Sequence, residues 1–165
     1  MRRPRRRKGI AVAEQAARVR EREWYADGLR FSCTRCGSCC TGPPGAVWFN
    51  AEEGKAIADL LGLDEATFLK RFARRLEGRW SLRERETEHG HDCIFLDRSD
   101  PGGRTGCRIH PVRPTQCRTW PFWPENLITQ RSWTSAKLAT PCPGMDEGRL
   151  VPIEQIRIQR DAVRG

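Results

Sequence analysis

Apolar positions recur at helical spacing in only a few stretches of this chain. Residues 10–24 (IAVAEQAARVREREW) are rich in good helix formers and predict a helix. Its apolar face of Ile10, Ala13, Ala17 and Val19 is thin, so this helix is expected to pack loosely. Asn50-Ala51-Glu52-Glu53 reads as an N-cap with an acidic first turn. Ile57, Leu60 and Leu61 give that helix its apolar face, and Gly62 stops it. Asp64 caps a second helix with Phe68, Leu69, Phe72 and Leu76 on one side. The two are expected to form the helical layer of the core. Val151-Pro152 opens a last helix with proline at its first position, carrying Ile153, Ile156 and Val163.

Elsewhere the pattern is that of short strands and loops. Val47-Trp48-Phe49 reads as a short buried strand or bend. From Trp80 the period changes, and Cys93-Ile94-Phe95-Leu96 has strand composition. Asp100-Pro101-Gly102-Gly103 is a turn, after which Gly106-Cys107-Arg108-Ile109 returns as a second strand. Residues 127–133 read as another strand. Pro111, Pro114, Pro121 and Pro124 forbid a long regular element between them. Residues 31–45 are so rich in cysteine, glycine and proline that something other than their own packing must hold them. Pro141-Cys142-Pro143-Gly144 is a second cysteine-bearing turn. The expected fold is α+β: a small metal-stabilised domain with a few helices, short antiparallel strands and long cysteine-bearing loops. No internal repeat is present. Residues 1–30 read as a basic tail and N-terminal helix, and residues 31–165 as one cysteine-rich domain.

Composition sharpens this picture at one residue type. Eight cysteines in 165 residues mark a disulfide scaffold, a metal protein or a redox protein. The basic start, Arg2-Arg3-Pro4-Arg5-Arg6-Arg7-Lys8, is followed by an apolar run that Glu14 and Gln15 interrupt, so it does not read as a secretory signal. No stretch approaches the length of a membrane span. The expected location is cytoplasmic, where thiols stay reduced and cysteine clusters hold metals. The net charge of +9 changes little: residues 2–8 carry six cations, and the rest has 24 basic against 21 acidic residues. The tail could touch nucleic acid, but a solvated arm is the favoured reading.

The cysteines are spaced for chelation. Cys33-x2-Cys36-x2-Cys39-Cys40 is followed by Cys93, Cys107, Cys117 and Cys142, each alone. Two residues between cysteines let one tight turn aim both sulfurs at one ion, and Gly37 gives the backbone room to curl. Zinc takes four such ligands at about 2.3 Å. Iron–sulfur clusters use a similar Cys-x2-Cys-x2-Cys run. Adjacent side chains usually point apart, so Cys39 and Cys40 are expected to feed different metals, or one of them none. Cys33, Cys36 and Cys39 are then expected as direct ligands. Burial as an apolar residue suits Cys93 in its strand, but not the group from Cys33 to Cys40. His89 and His91, in a polar loop, and His110, three residues after Cys107, are weaker candidates. Arg108, Arg113 and Arg118 lie close to thiols in sequence and could offset thiolate charge.

Together these segments resemble a known family. Phe31-x-Cys33-x2-Cys36-Gly37-x-Cys39-Cys40 is similar to the opening motif of the CxxCxxCC (YkgJ-like) family, described as a zinc- or iron-chelating domain. Cys93-Ile94-Phe95-Leu96, Cys107-Arg108-Ile109-His110, the block from Arg113 to Phe122 and Cys142-Pro143-Gly144 resemble its later motifs. The resemblance runs from residue 31 to 144. It implies that Cys33, Cys36, Cys39, Cys40, Cys93, Cys107, Cys117 and Cys142 belong to one metal-binding pattern, with zinc or iron, a 4Fe-4S cluster included, as the cofactor. His110 stands where the family commonly has tyrosine, which argues against an essential ligand there. Members are also labelled iron–sulfur proteins or oxidoreductases, and the cysteines are similar to those of flagellin lysine methylases. No glycine-rich strand-to-helix turn followed by an acid marks a methyl-donor site. Three functions follow: a mainly structural metal, a redox or iron-handling centre, and a nucleic-acid module with a metal scaffold. Catalytic residues and oligomeric state stay open.

Overall fold

The computed structural model describes residues 23–100 and 105–163, and within them the fold is α+β. The basic tail, the expected helix as far as residue 22 and most of the expected turn at residues 100–103 lie outside the described residues. Glu23 and Trp24, at that helix's end, stand in a bend and a turn.

The helical layer forms where its caps place it. Helix α1 (Ala51–Leu61) begins in a closed capping box, with Asn50 Oδ1 accepting from Glu53 N at 2.9 Å and Glu53 Oε2 from Asn50 N at 3.0 Å. It ends at Gly62, whose φ of 66° suits a residue without Cβ. Helix α2 (Glu65–Phe72) is capped by Asp64, which accepts from Thr67 N at 2.8 Å. It stops sooner than its apolar face suggests. At Ala73 the chain turns extended, and Leu76 lies in β2 (Ala73–Leu76) instead.

Among the described residues, four antiparallel strand pairs carry the remainder. Strand β2 pairs with β3 (Arg79–Leu82) across Glu77 and Gly78, both at positive φ. β4 (Glu84–Thr87) pairs with β5 (Gly90–Cys93), and β6 (Leu96–Asp97) with β7 (Gly106–Cys107). The expected strands at 93–96 and 106–109 are therefore shorter and differently bounded: Cys93 ends one hairpin and Leu96 starts the next. β1 (Leu29–Phe31) pairs with β8 (Met145–Val151), Leu29 opposite Val151. Val47-Trp48-Phe49 runs beside β3, with a single bridge from Trp48 to Ser81 and bonds from Leu82 N to Val47 O and from Phe49 N to Trp80 O.

The strand expected at residues 127–133 is not formed. Thr129 Oγ1 accepts from Ser132 N at 3.0 Å and starts helix α4 (Gln130–Ala139). A hydroxyl three residues before a free N–H decides the local choice over β-rich composition. Among the prolines, the short α3 (Thr115–Thr119) forms between two 3-10 turns, His110–Val112 and Pro124–Leu127. In the last helix, α5 (Ile153–Ala162), Pro152 is the cap itself, and Ile153 and Ile156 are buried.

Two apolar clusters result. One gathers Phe49, Ile57, Phe68, Leu82, Phe95 and Ile109. The other gathers Tyr25, Trp120, Phe122, Trp133, Met145 and Ile156. Each fully buried ring or branched chain contributes about 2 kcal/mol. Cys93 and Cys107 pack against the first cluster, while Cys142 is buried within the second. Thiols thus border both cores.

Candidate metal centre

The opening cysteine motif curls for a steric reason. Gly37 has φ of 77° and starts a 3-10 turn, Ser38–Cys40, closed by Cys40 N donating to Gly37 O at 2.9 Å. A Cβ at Gly37 would lie 2.7 Å from Thr105 Oγ1, and that hydroxyl donates to Arg35 O at 2.6 Å. Only glycine meets both demands. In a 3-10 turn successive side chains stand a third of a turn apart, not on opposite sides. Cys39 Sγ and Cys40 Sγ are accordingly 3.8 Å apart, so the expectation that they diverge does not hold. Four sulfurs at about 2.3 Å from one zinc define a tetrahedron with an edge of about 3.8 Å.

The other thiols arrive from separate elements. Cys93 ends β5, Cys107 ends β7, Cys117 lies in α3, and Cys142 precedes β8. Cys33, Cys36, Cys39, Cys40, Cys93, Cys107 and Cys117 all line one cavity of about 60 Å³. Cys39, Cys40, Cys93 and Cys117 also form part of the wall of a second cavity of about 130 Å³. Cys142 lies outside both linings, but its thiol feels the charge of Cys36. Among the described residues, no three His, Cys, Asp or Glu side chains are already drawn into one ligating group. The thiols ring a space without meeting at a point.

Burial and neighbours set the thiols apart. The hydrogen bond with the Cys40 thiol lowers Cys39 below the usual thiol value, with Arg113 helping, while Cys40 itself is pushed up. Burial pushes Cys93 up to about 11 and raises Cys117, Cys107 and Cys142 as well. Burial also acts against the Cys36 thiolate, but hydrogen bonds from Ser38 and Thr34 outweigh it and lower the value.

Of the three arginines near thiols in sequence, Arg113 acts on Cys39, Cys107 and Cys117. Arg118 turns away, donating to Arg113 O and Thr115 Oγ1 at 2.8 Å each. Arg108 exerts its charge on Asp97. Arg98, which the sequence did not single out, faces Cys40 electrostatically and holds buried Asp92 by two bonds of 2.8 and 3.0 Å. That guanidinium keeps the Asp92 carboxyl down at about 2.

The histidines divide similarly. His110 lines the seven-thiol cavity, its protonation disfavoured by burial and by Arg113 and Arg35. His91 lines the second cavity. His89 lies 3.7 Å from Glu88.

Several residues that hold the site carry no signal in the hydrophobic pattern. Gln116 accepts from Trp48 N at 2.8 Å and donates to Ala46 O at 3.1 Å, fixing the loop beside Cys117. Glu53 Oε1 accepts from Thr115 N at 2.7 Å and from Thr115 Oγ1 at 2.6 Å, so one carboxylate caps both α1 and the helix that carries Cys117. Glu84 accepts from Gly45 N at 3.1 Å and pairs with Arg74. The indole N–H of Trp120 is buried and makes no hydrogen bond of ordinary geometry. It favours the thiolate of Cys142. Eight free thiols, a convergent cavity and an orphaned donor beside a sulfur fit a thiophilic cation.

Fold and site together define a thiol-rich chelating domain. A family model described as "CxxCxxCC: Putative zinc- or iron-chelating domain" matches residues 32–143. The chain belongs to the CxxCxxCC family and is a metal-binding protein of that kind. It is 33% identical over 98 residues to the uncharacterized protein MJ0661 of Methanocaldococcus jannaschii, covering 59% of this chain and 48% of that protein. The chain thus spans about half the length of that curated relative. No solved structure matches. Among the described residues, no helix is long and apolar enough to cross a membrane.

Proposed function

We propose that the eight cysteines hold zinc or iron in two four-thiolate sets and that the metal's first role is to join the two apolar clusters. The carrying observation is the convergence of seven thiols on one cavity. Cys39, Cys40, Cys93 and Cys117 form the inner set: they share both cavities, and the charges of Cys39, Cys117 and Cys93 bear on Cys40. Cys33, Cys36, Cys107 and Cys142, none of which lines the second cavity, form the outer set; Cys142 feels Cys36, and Cys107 feels Cys33 as well as Cys39 of the inner set. His110 serves as a reserve donor at the outer edge.

The metal would supply a fixed positive centre that offsets thiolate charge, with Arg113 and Arg98 taking up the remainder. An iron–sulfur cluster is the second reading. In a 4Fe-4S cluster the four cysteines bind four different irons, so sulfurs 3.8 Å apart support single ions over that cluster for the inner set. Eight unpaired thiols also support a reducing, cytoplasmic setting.

Anaerobic purification, metal analysis and a visible spectrum test the reading. About two ions per chain are expected. Cys40→Ser and Cys39→Ser should lose one equivalent, and Cys36→Ser the other. Loss of all metal in every variant would overturn the two-set division. Brown colour with sulfur-to-iron absorbance and acid-labile sulfide would replace single ions with a cluster.

A further inference from the structure

A larger groove adjoins the thiol-lined space across Gln116 and Trp123. It measures about 620 Å³, within the range of small-molecule sites, against about 60 and 130 Å³ for the two thiol-lined spaces. Its walls include Trp48, Trp80 and Trp123, with Arg75, Arg79 and Glu125 among the polar groups. The metal reading uses none of these side chains.

The arrangement is organised. Arg79 lies over the Trp48 ring at 4.7 Å, and Arg75 over Trp80 at 4.3 Å. Both cations come from the β2–β3 hairpin, Arg75 opposite Trp80 and Arg79 opposite Leu76, and both line the groove. Each guanidinium thereby rests against an aromatic ring, with N–H groups left over for an anion. Arg75 spends one on Gly78 O. Trp123 is fixed from behind by its N–H donating to Gln116 O at 2.9 Å and by edge contact with Trp120 at 4.8 Å. Glu125 supplies an exposed carboxylate, an acceptor for amino or hydroxyl groups. Glu53 is occupied by Thr115 and Asn50.

We infer that this groove binds a nucleobase carrying a 5′-phosphate, the base on the tryptophan surfaces and the phosphate on Arg75 and Arg79. Flat rings, two guanidiniums and one carboxylate acceptor match that ligand, which either a mononucleotide or one residue of a single strand supplies. A purely anionic ligand would not need the rings, and an apolar ligand would not need the cations. Gln116 and Trp123 line both this groove and the second thiol-lined cavity, so a ligand here touches the wall behind Cys117.

Calorimetric titration of the metal-loaded full chain tests this, using adenosine 5′-monophosphate, adenosine, inorganic phosphate, a ten-residue oligoadenylate and a ten-base-pair duplex. The monophosphate or the oligoadenylate should bind at least about tenfold more tightly than inorganic phosphate or adenosine. Binding of the monophosphate identifies a nucleotide site, and binding of the oligoadenylate alone a single-strand site. The exposed double variant Arg75→Gln/Arg79→Gln should weaken binding about tenfold while metal content stays constant. Trp48→Leu should weaken monophosphate more than inorganic phosphate. Equal binding of phosphate and monophosphate, preference for the duplex, absence of binding, or an unaffected double variant would each overturn the inference. Metal content measured alongside keeps the result separate from the fate of the metal reading.

Discussion

Helix α1 and the cysteine loop at residues 32–45 differ in where their order comes from. In α1, Asn50 and Glu53 close the start, Gly62 closes the end, and Ile57 and Ala58 are buried between them. Everything that makes it a helix is written within its own thirteen positions. The loop has no such closure. Its backbone is held by Thr105 at Arg35 and by His91 N donating to Gly42 O at 2.8 Å. Glu84 and Arg74 hold Gly45, and Gln116 holds Ala46. Each of those partners is distant in sequence. The helix is locally encoded, whereas the loop borrows its order from other elements. Local order survives loss of a ligand, while order borrowed from a ligand does not.

Removing metal should break the comparison most widely. A ligand present at a thousand times its Kd stabilises by about 4 kcal/mol, which for a chain of this size is about 10 °C in Tm. Calorimetry of the loaded protein with and without a strong chelator should show a drop of this order. Hydrogen exchange should show amides 32–45 losing protection while those of α1 keep theirs. An unchanged melt would mean that the loop's borrowed hydrogen bonds suffice without metal.

Two glycines sharpen the point at the level of one methyl group. Gly62 and Gly37 both have positive φ, but Gly62 opens onto free space and Gly37 faces Thr105. Gly62→Ala should cost about 1 kcal/mol, the penalty of the left-handed conformation alone. Gly37→Ala should cost about 3 kcal/mol and reduce bound metal, because Thr105 must also move. Equal costs in denaturant melts, with metal unchanged, would show that the Thr105 approach is unimportant.

Legibility follows the same division. The caps at Asn50 and Asp64 were readable because the cap and its partner lie three residues apart. The eight cysteines were readable as a set, but their convergence depends on hairpins that the pattern does not announce. The β2–β3 turn uses Glu77-Gly78 in place of the usual Asn-Gly, so its strands passed unmarked. Residues 127–133 misled because their composition suits a strand, while a single hydroxyl on Thr129 set the helix. Arg98, Thr105 and Gln116 hold the site through contacts that have no fixed sequence spacing.

Glu53 joins the two modes of order. Its carboxylate closes the α1 box and also caps α3, seating Cys117. Glu53→Ala should cost about 2 kcal/mol, roughly twice Asn50→Ala, which removes one cap alone. Metal content should fall in the Glu53 variant and stay constant in the Asn50 variant. If both lose equal stability and neither loses metal, the second cap has no hold on the site.

The smallest expected effect tests borrowed order far from the thiols. Glu23 pairs with Arg157 and, at 2.7 Å, with Arg160, tying the chain before β1 to helix α5. Burial opposes the Glu23 carboxylate, but the bonds from Arg157, Tyr25 and Arg160 prevail and lower its value below the usual 4.5. A carboxylate lowered on folding stabilises fully at pH above its unfolded value. That contribution is lost as pH falls through the folded value. Thermal melts from pH 7 to pH 3 should therefore show Glu23→Gln less stable than the parent by about 1 kcal/mol at neutral pH. The gap should narrow below pH 4.5. A gap constant across that range would mean that Glu23 acts by packing and not by charge. The local, capped elements α1 and α4 should be indifferent to the change, since none of their stabilising bonds passes through Glu23.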